Sequence, residues 1–177
     1  MPLPLGQAQD LASADVALNT LQLLGATSPN IRNVIPNTLV LTAARTLLAN
    51  ESGSEVIWNA AAGFTITLPA PVVGLRFMFR VGTTNTSSNH KLITDAGTTF
   101  LKGSVLQAVE DTTPAANPGP KDFLFNGTSH VACTMNGTTT GGLFGTWIEV
   151  LALSTTVWLI NGYVKGSGTI ATPAATS

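Results

Sequence analysis

Residues 54–82, SEVIWNAAAGFTITLPAPVVGLRFMFRVG, decide the fold class, because they alternate strand-forming runs with turn-forming residues. Residues 64–68 alternate apolar side chains with threonine, which is typical of a half-buried strand. Pro69 and Pro71 end that strand, since proline cannot donate to a sheet ladder. In residues 75–81, Arg and Met occupy the even positions and apolar residues the odd ones, so one face is predicted to be buried. The stretch therefore predicts a rigid β scaffold and carries no reactive cluster.

From residue 38 onward the chain continues this pattern of short strand-like runs separated by turn signals. Asparagine–glycine pairs at 126–127, 136–137 and 161–162 suit a backbone with positive φ and predict hairpin turns. No internal repeat with a period of roughly 20–50 residues is apparent. The predicted fold class is all-β, as an antiparallel β-sandwich, a jelly-roll-like fold or a small barrel. The predicted strands cover residues 38–42, 46–50, 55–58, 64–68, 75–81, 91–94, 99–102, 105–109, 130–135, 146–153 and 157–165.

Residues 1–37 differ from this pattern, and we predict an N-terminal arm or linker beside a β-rich domain at residues 38–177. Prolines at positions 2 and 4 favour an extended start. Leucine and alanine at 11, 14, 18 and 21 follow helix-like spacing, so the arm is predicted to be extended or partly helical. It either packs on the body as a short helix or orders only on a partner. Its candidate apolar anchors are Leu3, Leu5, Ile31, Val34 and Ile35.

Charge is scarce in this chain. Asp, Glu, Lys and Arg make up 10% of the residues, against about 25% in a typical domain. A surface this neutral is predicted to be hidden in a permanent assembly or covered by hydroxyl groups. Lys and Arg total 8 and do not cluster, so nucleic acid is not an expected partner. The sequence predicts neither a membrane span nor a secretory signal, and synthesis is expected in a cytoplasm.

Few residues suit catalysis or metal binding. Cys133 and His130 suggest a nucleophile and its base, but residues three apart on a strand point to opposite faces. We therefore expect a buried cysteine and a surface histidine. His90 lies in a loop rich in serine and asparagine. One cysteine and two separated histidines predict neither a disulfide nor a metal site.

Paired carboxylates are the remaining catalytic candidates, since glycoside hydrolysis uses two of them. Glu51 and Glu55 flank a tight turn, and Glu110 with Asp111 begins a proline-rich loop. Both pairs are therefore expected to be solvated turn residues. The glycine-rich residues 137–142 lack the lysine of a phosphate-binding loop. We predict no enzyme activity and no cofactor.

The large aromatic residues are candidates for packing in the core or between subunits. Trp58, Trp147 and Trp158 can stack on sugar rings where they are exposed, but packing is the commoner role. Phe77 and Phe79 share the apolar face of one predicted strand and join the same set.

Two segments carry a family resemblance. NAAAGFTITLPAPVVGLRFMFRVG, at 59–82, resembles the strand–turn–strand core of the capsid decoration (cement) proteins of tailed bacteriophages and cyanophages. GTWIEVLALSTTVWLINGYVKGSGTIATP, at 145–173, is similar in layout to the end of the same proteins, where a paired strand precedes a glycine-rich tail. The resemblance spans residues 38–173 and leaves the arm uncovered.

The resemblance implies a structural virion protein, made in the host cytoplasm and placed on the outer capsid surface. Such proteins are usually homotrimers that clamp neighbouring copies of the major capsid protein, and the anchors in residues 1–37 would then bind the capsid. Two alternatives stay open. One is a tail- or head-fibre receptor-binding module, in which loops 82–90 and 111–121 hold host glycans. The other is a polysaccharide-degrading virion enzyme.

Overall fold

The computed structural model of the protein describes residues 37–110 and 119–177. Within these ranges the chain forms twelve strands and one 3-10 turn, Ala49–Glu51. The strands are β1 (Thr38–Leu41), β2 (Arg45–Thr46), β3 (Glu55–Trp58), β4 (Thr65–Thr67), β5 (Arg76–Val81), β6 (His90–Ile93), β7 (Phe100–Val109), β8 (Lys121–Asn126), β9 (Ala132–Met135), β10 (Trp147–Ala152), β11 (Val157–Gly166) and β12 (Ala174–Ala175).

These strands build two sheets that pack face to face. The seven-stranded sheet has the order β1-β3-β5-β10-β11-β7-β8, and the five-stranded sheet has the order β12-β9-β6-β4-β2. The predicted all-β class is therefore confirmed. The pairing differs from the antiparallel arrangement that we expected, because both sheets are mixed. β1, β3 and β5 run parallel, as do β2, β4 and β6, and β7 runs parallel to β11.

The first six strands alternate between the two sheets. Odd-numbered strands enter the seven-stranded sheet, and even-numbered strands enter the five-stranded sheet. Parallel neighbours require a crossover connection, and here a strand of the opposite sheet supplies it. The parallel neighbours β1, β3 and β5 are unequally spaced along the sequence, since Thr38 pairs with Glu55 and Glu55 pairs with Met78. This unequal spacing explains why no repeat is apparent in the sequence.

Eight of the eleven predicted strands are confirmed, and three are not. The predictions at 55–58, 64–68, 75–81, 146–153 and 157–165 match β3, β4, β5, β10 and β11 to within one residue. The predictions at 99–102 and 105–109 are wrong as separate strands, because both lie in the continuous β7. The strand predicted at 46–50 overlaps only the last residue of β2 and otherwise runs into the 3-10 turn. The strands β8 and β12 were not predicted.

The asparagine–glycine signals are confirmed as turns at two of three positions. Gly127 and Gly137 have φ of 75° and 79°. Neither closes a hairpin, because each turn carries the chain from one sheet to the other. The third signal is wrong: Gly162 lies inside β11, where a Cβ would come within 2.6 Å of the Trp147 carbonyl oxygen. Glycine therefore permits close strand approach there rather than a turn.

The core lies between the two sheets and is organised around a chain of aromatic rings. Trp58 packs on Phe79 at 5.3 Å between ring centroids, and Phe77 packs on Trp158 at 6.2 Å. All four side chains are fully buried. Each such burial stabilises the fold by roughly 1.5–3 kcal/mol. The described body therefore holds a buried aromatic core beneath its seven-stranded sheet.

Candidate binding surface

The outward face of the seven-stranded sheet carries paired charges around a methionine. In β5 the buried positions alternate with Arg76, Met78 and Arg80. In register, Met78 lies between Glu55 of β3 and Glu149 of β10. Arg76 forms an ion pair with Glu149, and Arg80 forms one with Glu55. The side chains are partly exposed, so each pair contributes about 0–1 kcal/mol, but together they leave this area without net charge.

Beside these charges lies a group that we call the aromatic platform: Arg80, Trp147, Glu149, Asn161 and Tyr163. Trp147 pairs directly with Tyr163 on one side and with Arg80 on the other. Glu149 pairs with Asn161 in the next outward row. Trp147 and Tyr163 are half-buried and Asn161 is exposed. The structure thus places Trp147 on the outer face, whereas the other two tryptophans lie in the core.

Towards β8 the same face opens into an aliphatic groove, lined by Leu124, Leu153, Leu159, Lys102 and Ser104 among others. Leu124 is 70% exposed and Leu153 is 49% exposed. The short Ser104 pairs with Leu124 on one side, so it forms a low floor between longer side chains. The groove has a volume of about 590 Å³. Large exposed leucines grouped in this way are typical of an interaction surface.

The apolar character continues past the end of β10. Val72 and Val73 are both more than half exposed in the turn before β5. The N–H of Gly74 donates to the carbonyl oxygen of Ala152 at 3.0 Å, which ties this turn to the residue before Leu153. The exposed aliphatic surface therefore extends from the groove around the end of the sheet.

The candidate pair of Cys133 and His130 does not form a nucleophile–base contact. Cys133 is fully buried in β9, and burial raises the pKa of its thiol to about 12. His130 is half-buried, and its ring packs edge-on against Phe125 at 5.9 Å. Its Nδ1 accepts a hydrogen bond from the Asn126 N–H at 3.2 Å. The thiol therefore has neither the access nor the thiolate character that nucleophilic chemistry needs.

The sequence led us to expect His90 in a polar loop, and this prediction is wrong. It begins β6 and is fully buried. Its ring lies 5.6 Å from the ring of Trp58 and 5.2 Å from that of Phe64. Nδ1 accepts a long hydrogen bond from the Phe64 N–H. Burial lowers the pKa of His90 below its ordinary value, which keeps a neutral imidazole in the core.

The three candidate carboxylates that the structure describes, Glu51, Glu55 and Glu110, are each paired with a different cation. Glu51 forms an ion pair with Arg45 and accepts a hydrogen bond from the Leu48 N–H at 2.8 Å. Glu110 pairs with Lys165 at 2.9 Å, while Asp111 lies outside the described residues. These contacts give the carboxylates structural roles. Across residues 37–110 and 119–177, no three His, Cys, Asp or Glu side chains come together as a metal site.

The glycine-rich residues 137–142 form a tightly bonded loop. The side-chain oxygen of Asn136 accepts hydrogen bonds from the N–H groups of Thr138, Thr139 and Thr140. These amides are consequently engaged within the loop instead of forming an anion cradle. In the part of the chain that the structure describes, no helix has the length and apolarity to cross a membrane.

The comparisons with known proteins were negative: no family model, no curated protein and no solved structure matches the chain. The resemblance to capsid decoration proteins therefore stays a prediction from the sequence. The candidate anchors in the arm, residues 3, 5, 31, 34 and 35, lie outside the described residues. The arm predicted at residues 1–37 also lies outside them except for residue 37, so the boundary between arm and body stays a prediction.

Sequence reasoning missed the aliphatic groove. Leu124 sits in the run Phe123–Leu124–Phe125, and β8 was not predicted, so nothing indicated that its middle residue points outward. A period-2 reading of residues 121–126 supplies that signal. Leu153 was included at the end of a predicted strand, but its exposure depends on where the turn begins.

Proposed function

We propose that the protein is a structural component of a bacteriophage virion that acts by binding, decorates the outer capsid surface and bridges neighbouring capsid subunits. The observation that carries this proposal is the aliphatic groove, exposed on a rigid sheet in a chain with only 10% charged residues. A groove of this kind suits protein–protein contact. The resemblance of residues 59–82 and 145–173 to decoration proteins supports the choice of a capsid as the partner.

Burial of the groove supplies the binding energy in this proposal. A fully buried leucine contributes roughly 1.5–3 kcal/mol, and Leu124 and Leu153 retain much of their area for a partner. In a homotrimer three such grooves act together, so multivalency makes attachment much tighter than any single contact. Binding to the assembled shell and not to its separated subunits stabilises the shell by mass action.

The test is sedimentation of the purified protein with phage shells that lack it. Leu124→Gln and Leu153→Gln are expected to weaken shell binding by about tenfold or more, since each puts an amide into an apolar contact. Leu48→Gln is the matched control, because Leu48 is 56% exposed in the 3-10 turn region and away from the groove. It is expected to bind as the wild type does. Light scattering of the free protein is expected to give three times the 18.2 kDa chain mass.

Two results contradict the proposal. One is equal shell binding by the wild type and both groove variants. The other is gold labelling of intact particles at the tail instead of the shell, which favours a fibre module. Cleavage of host polysaccharide by the purified protein points to the enzyme alternative.

A further inference from the structure

We infer that the aromatic platform is a binding site for neutral saccharide chains. This site borders the aliphatic groove, with which it shares Asn161, and its aromatic rings lie outside the groove. It does not depend on the proposed capsid attachment. The inference rests on the side chains that the sheet register brings together at Arg80, Trp147, Glu149, Asn161 and Tyr163.

The aromatic pair supplies a surface for sugar rings. Trp147 and Tyr163 are direct cross-strand partners, so their Cβ atoms lie about 4.5–5.5 Å apart on a common face. Both are partly exposed, and each combines an apolar ring with a polar group that favours a wet interface. The apolar C–H face of a pyranose packs on such rings while its hydroxyl groups remain at the rim.

The residues around the rings match the hydroxyl groups of a sugar. Asn161 is exposed, and its amide both donates and accepts. Glu149, in the same outward row, accepts hydrogen bonds through two oxygens, and Arg80, next to Trp147, donates through a planar fork. Adjacent hydroxyls on a sugar ring present the donors and acceptors that these groups require.

The electrostatics favour an uncharged ligand. Glu149 is paired with Arg76, and Arg80 is paired with Glu55. The nearby Lys165, two residues after Tyr163, is paired with Glu110. Each of these three charges beside the rings is thus matched by an opposite one, which favours an uncharged ligand at the rings. The next charge along the outward row is Asp122, which lies opposite Leu106 on β8.

The outward row has room for more than one sugar unit. It continues from Tyr163 to Leu106, which is exposed on β7, and on the other side from Arg80 to Ile57. Neighbouring strands lie about 4.7–4.9 Å apart, a spacing close to that of successive rings in an extended saccharide chain. A chain lying across the strands therefore meets one side chain for each sugar.

The experiment is native affinity electrophoresis in gels containing dextran, hydroxyethyl cellulose or galactomannan. At least one polymer is expected to retard the wild type. Trp147→Ala and Tyr163→Ala are each expected to weaken that binding by about tenfold or more. Phe144→Ala is the matched control, because Phe144 is 65% exposed in the turn before β10 and outside the platform. It is expected to be retarded like the wild type.

Tryptophan fluorescence gives a second measurement that needs no variant. Trp58 and Trp158 are fully buried, so a change on adding the retarding polymer to the wild type reports on Trp147. A blue shift is expected as the sugar excludes water from that ring.

The inference is overturned if none of the three polymers retards the protein, or if Trp147→Ala is retarded as strongly as the wild type. It is also overturned if Trp147→Ala changes the oligomeric state while no polymer binds, because a second copy of the chain then covers the platform. Each of these results leaves the shell-sedimentation test of the proposed function unaffected.

Discussion

Replacement of Gly103 by alanine tests the central parallel ladder of the fold. Gly103 lies in β7 opposite Ile160 of β11, with a φ of 137°. A Cβ at this position would lie 2.1 Å from the Ile160 carbonyl oxygen. The obstacle is backbone, so no change of side-chain rotamer relieves it, and β7 must move away from β11.

The expected loss of stability has two parts. Placing a side chain at this sparsely populated φ costs about 1–3 kcal/mol. Opening the ladder weakens about two hydrogen bonds, each with a net contribution of about 0.5–1.5 kcal/mol. Gly103→Ala is therefore expected to lower the free energy of unfolding by about 2–6 kcal/mol, a large share of the roughly 5–15 kcal/mol of a typical domain.

Gly97→Ala is the matched control, because Gly97 has nothing within 4 Å of its would-be Cβ. Its free energy of unfolding is expected to stay within about 1 kcal/mol of the wild-type value. Urea unfolding followed by tryptophan fluorescence measures both variants, since Trp58 and Trp158 leave the core on unfolding. A loss below about 1 kcal/mol for Gly103→Ala refutes the close parallel packing of β7 on β11 in this register.

Two further predictions concern the core histidine and the arm. As pH falls below about 6.5, His90 becomes protonated in the unfolded chain, while burial resists its protonation in the folded state. The free energy of unfolding therefore falls by up to about 1.4 kcal/mol per pH unit, until the pH reaches the lowered pKa of the folded state. Urea titrations between pH 7 and 5 measure how the free energy of unfolding changes with pH. This dependence on pH is expected to be shallower for His90→Gln than for the wild type or His130→Gln, and equal slopes contradict this role of His90. A chain beginning at Thr38 is expected to stay folded and trimeric by circular dichroism and light scattering but to bind shells more weakly, because it lacks the apolar anchors of the arm. If this truncated chain is unfolded, the arm is part of the core. If it binds shells as strongly as the wild type does, the attachment site lies on the β body.

The period-2 pattern was sufficient to predict which face of a strand is buried. In β5 the apolar Phe77, Phe79 and Val81 point inward, as their alternation indicates. The structure shows the same alternation in β10, where Trp147 lies on the face opposite the buried Ile148 and Val150. Alternation works because successive side chains leave a strand on opposite sides, whatever strand lies next to it.

Alternation does not specify the partner strand or its direction, and the tertiary structure decided both. Parallel pairing of β1, β3 and β5 depends on the chain crossing to the second sheet between them, which no single strand encodes. The same long-range packing surrounds His90 with aromatic rings, although its neighbours in the sequence resemble a surface loop.

The two candidate binding surfaces show the same division between sequence and structure. The sequence by itself determined that the chain is nearly uncharged, and it left Trp147 as a candidate for packing in the core or between subunits. Only the tertiary structure placed Tyr163 beside that ring and brought Leu124, Leu153 and Leu159 around one groove. These neighbours lie on different strands or, for Leu153, just past the end of one. Their proximity follows from sheet register, which is set by packing of the whole core.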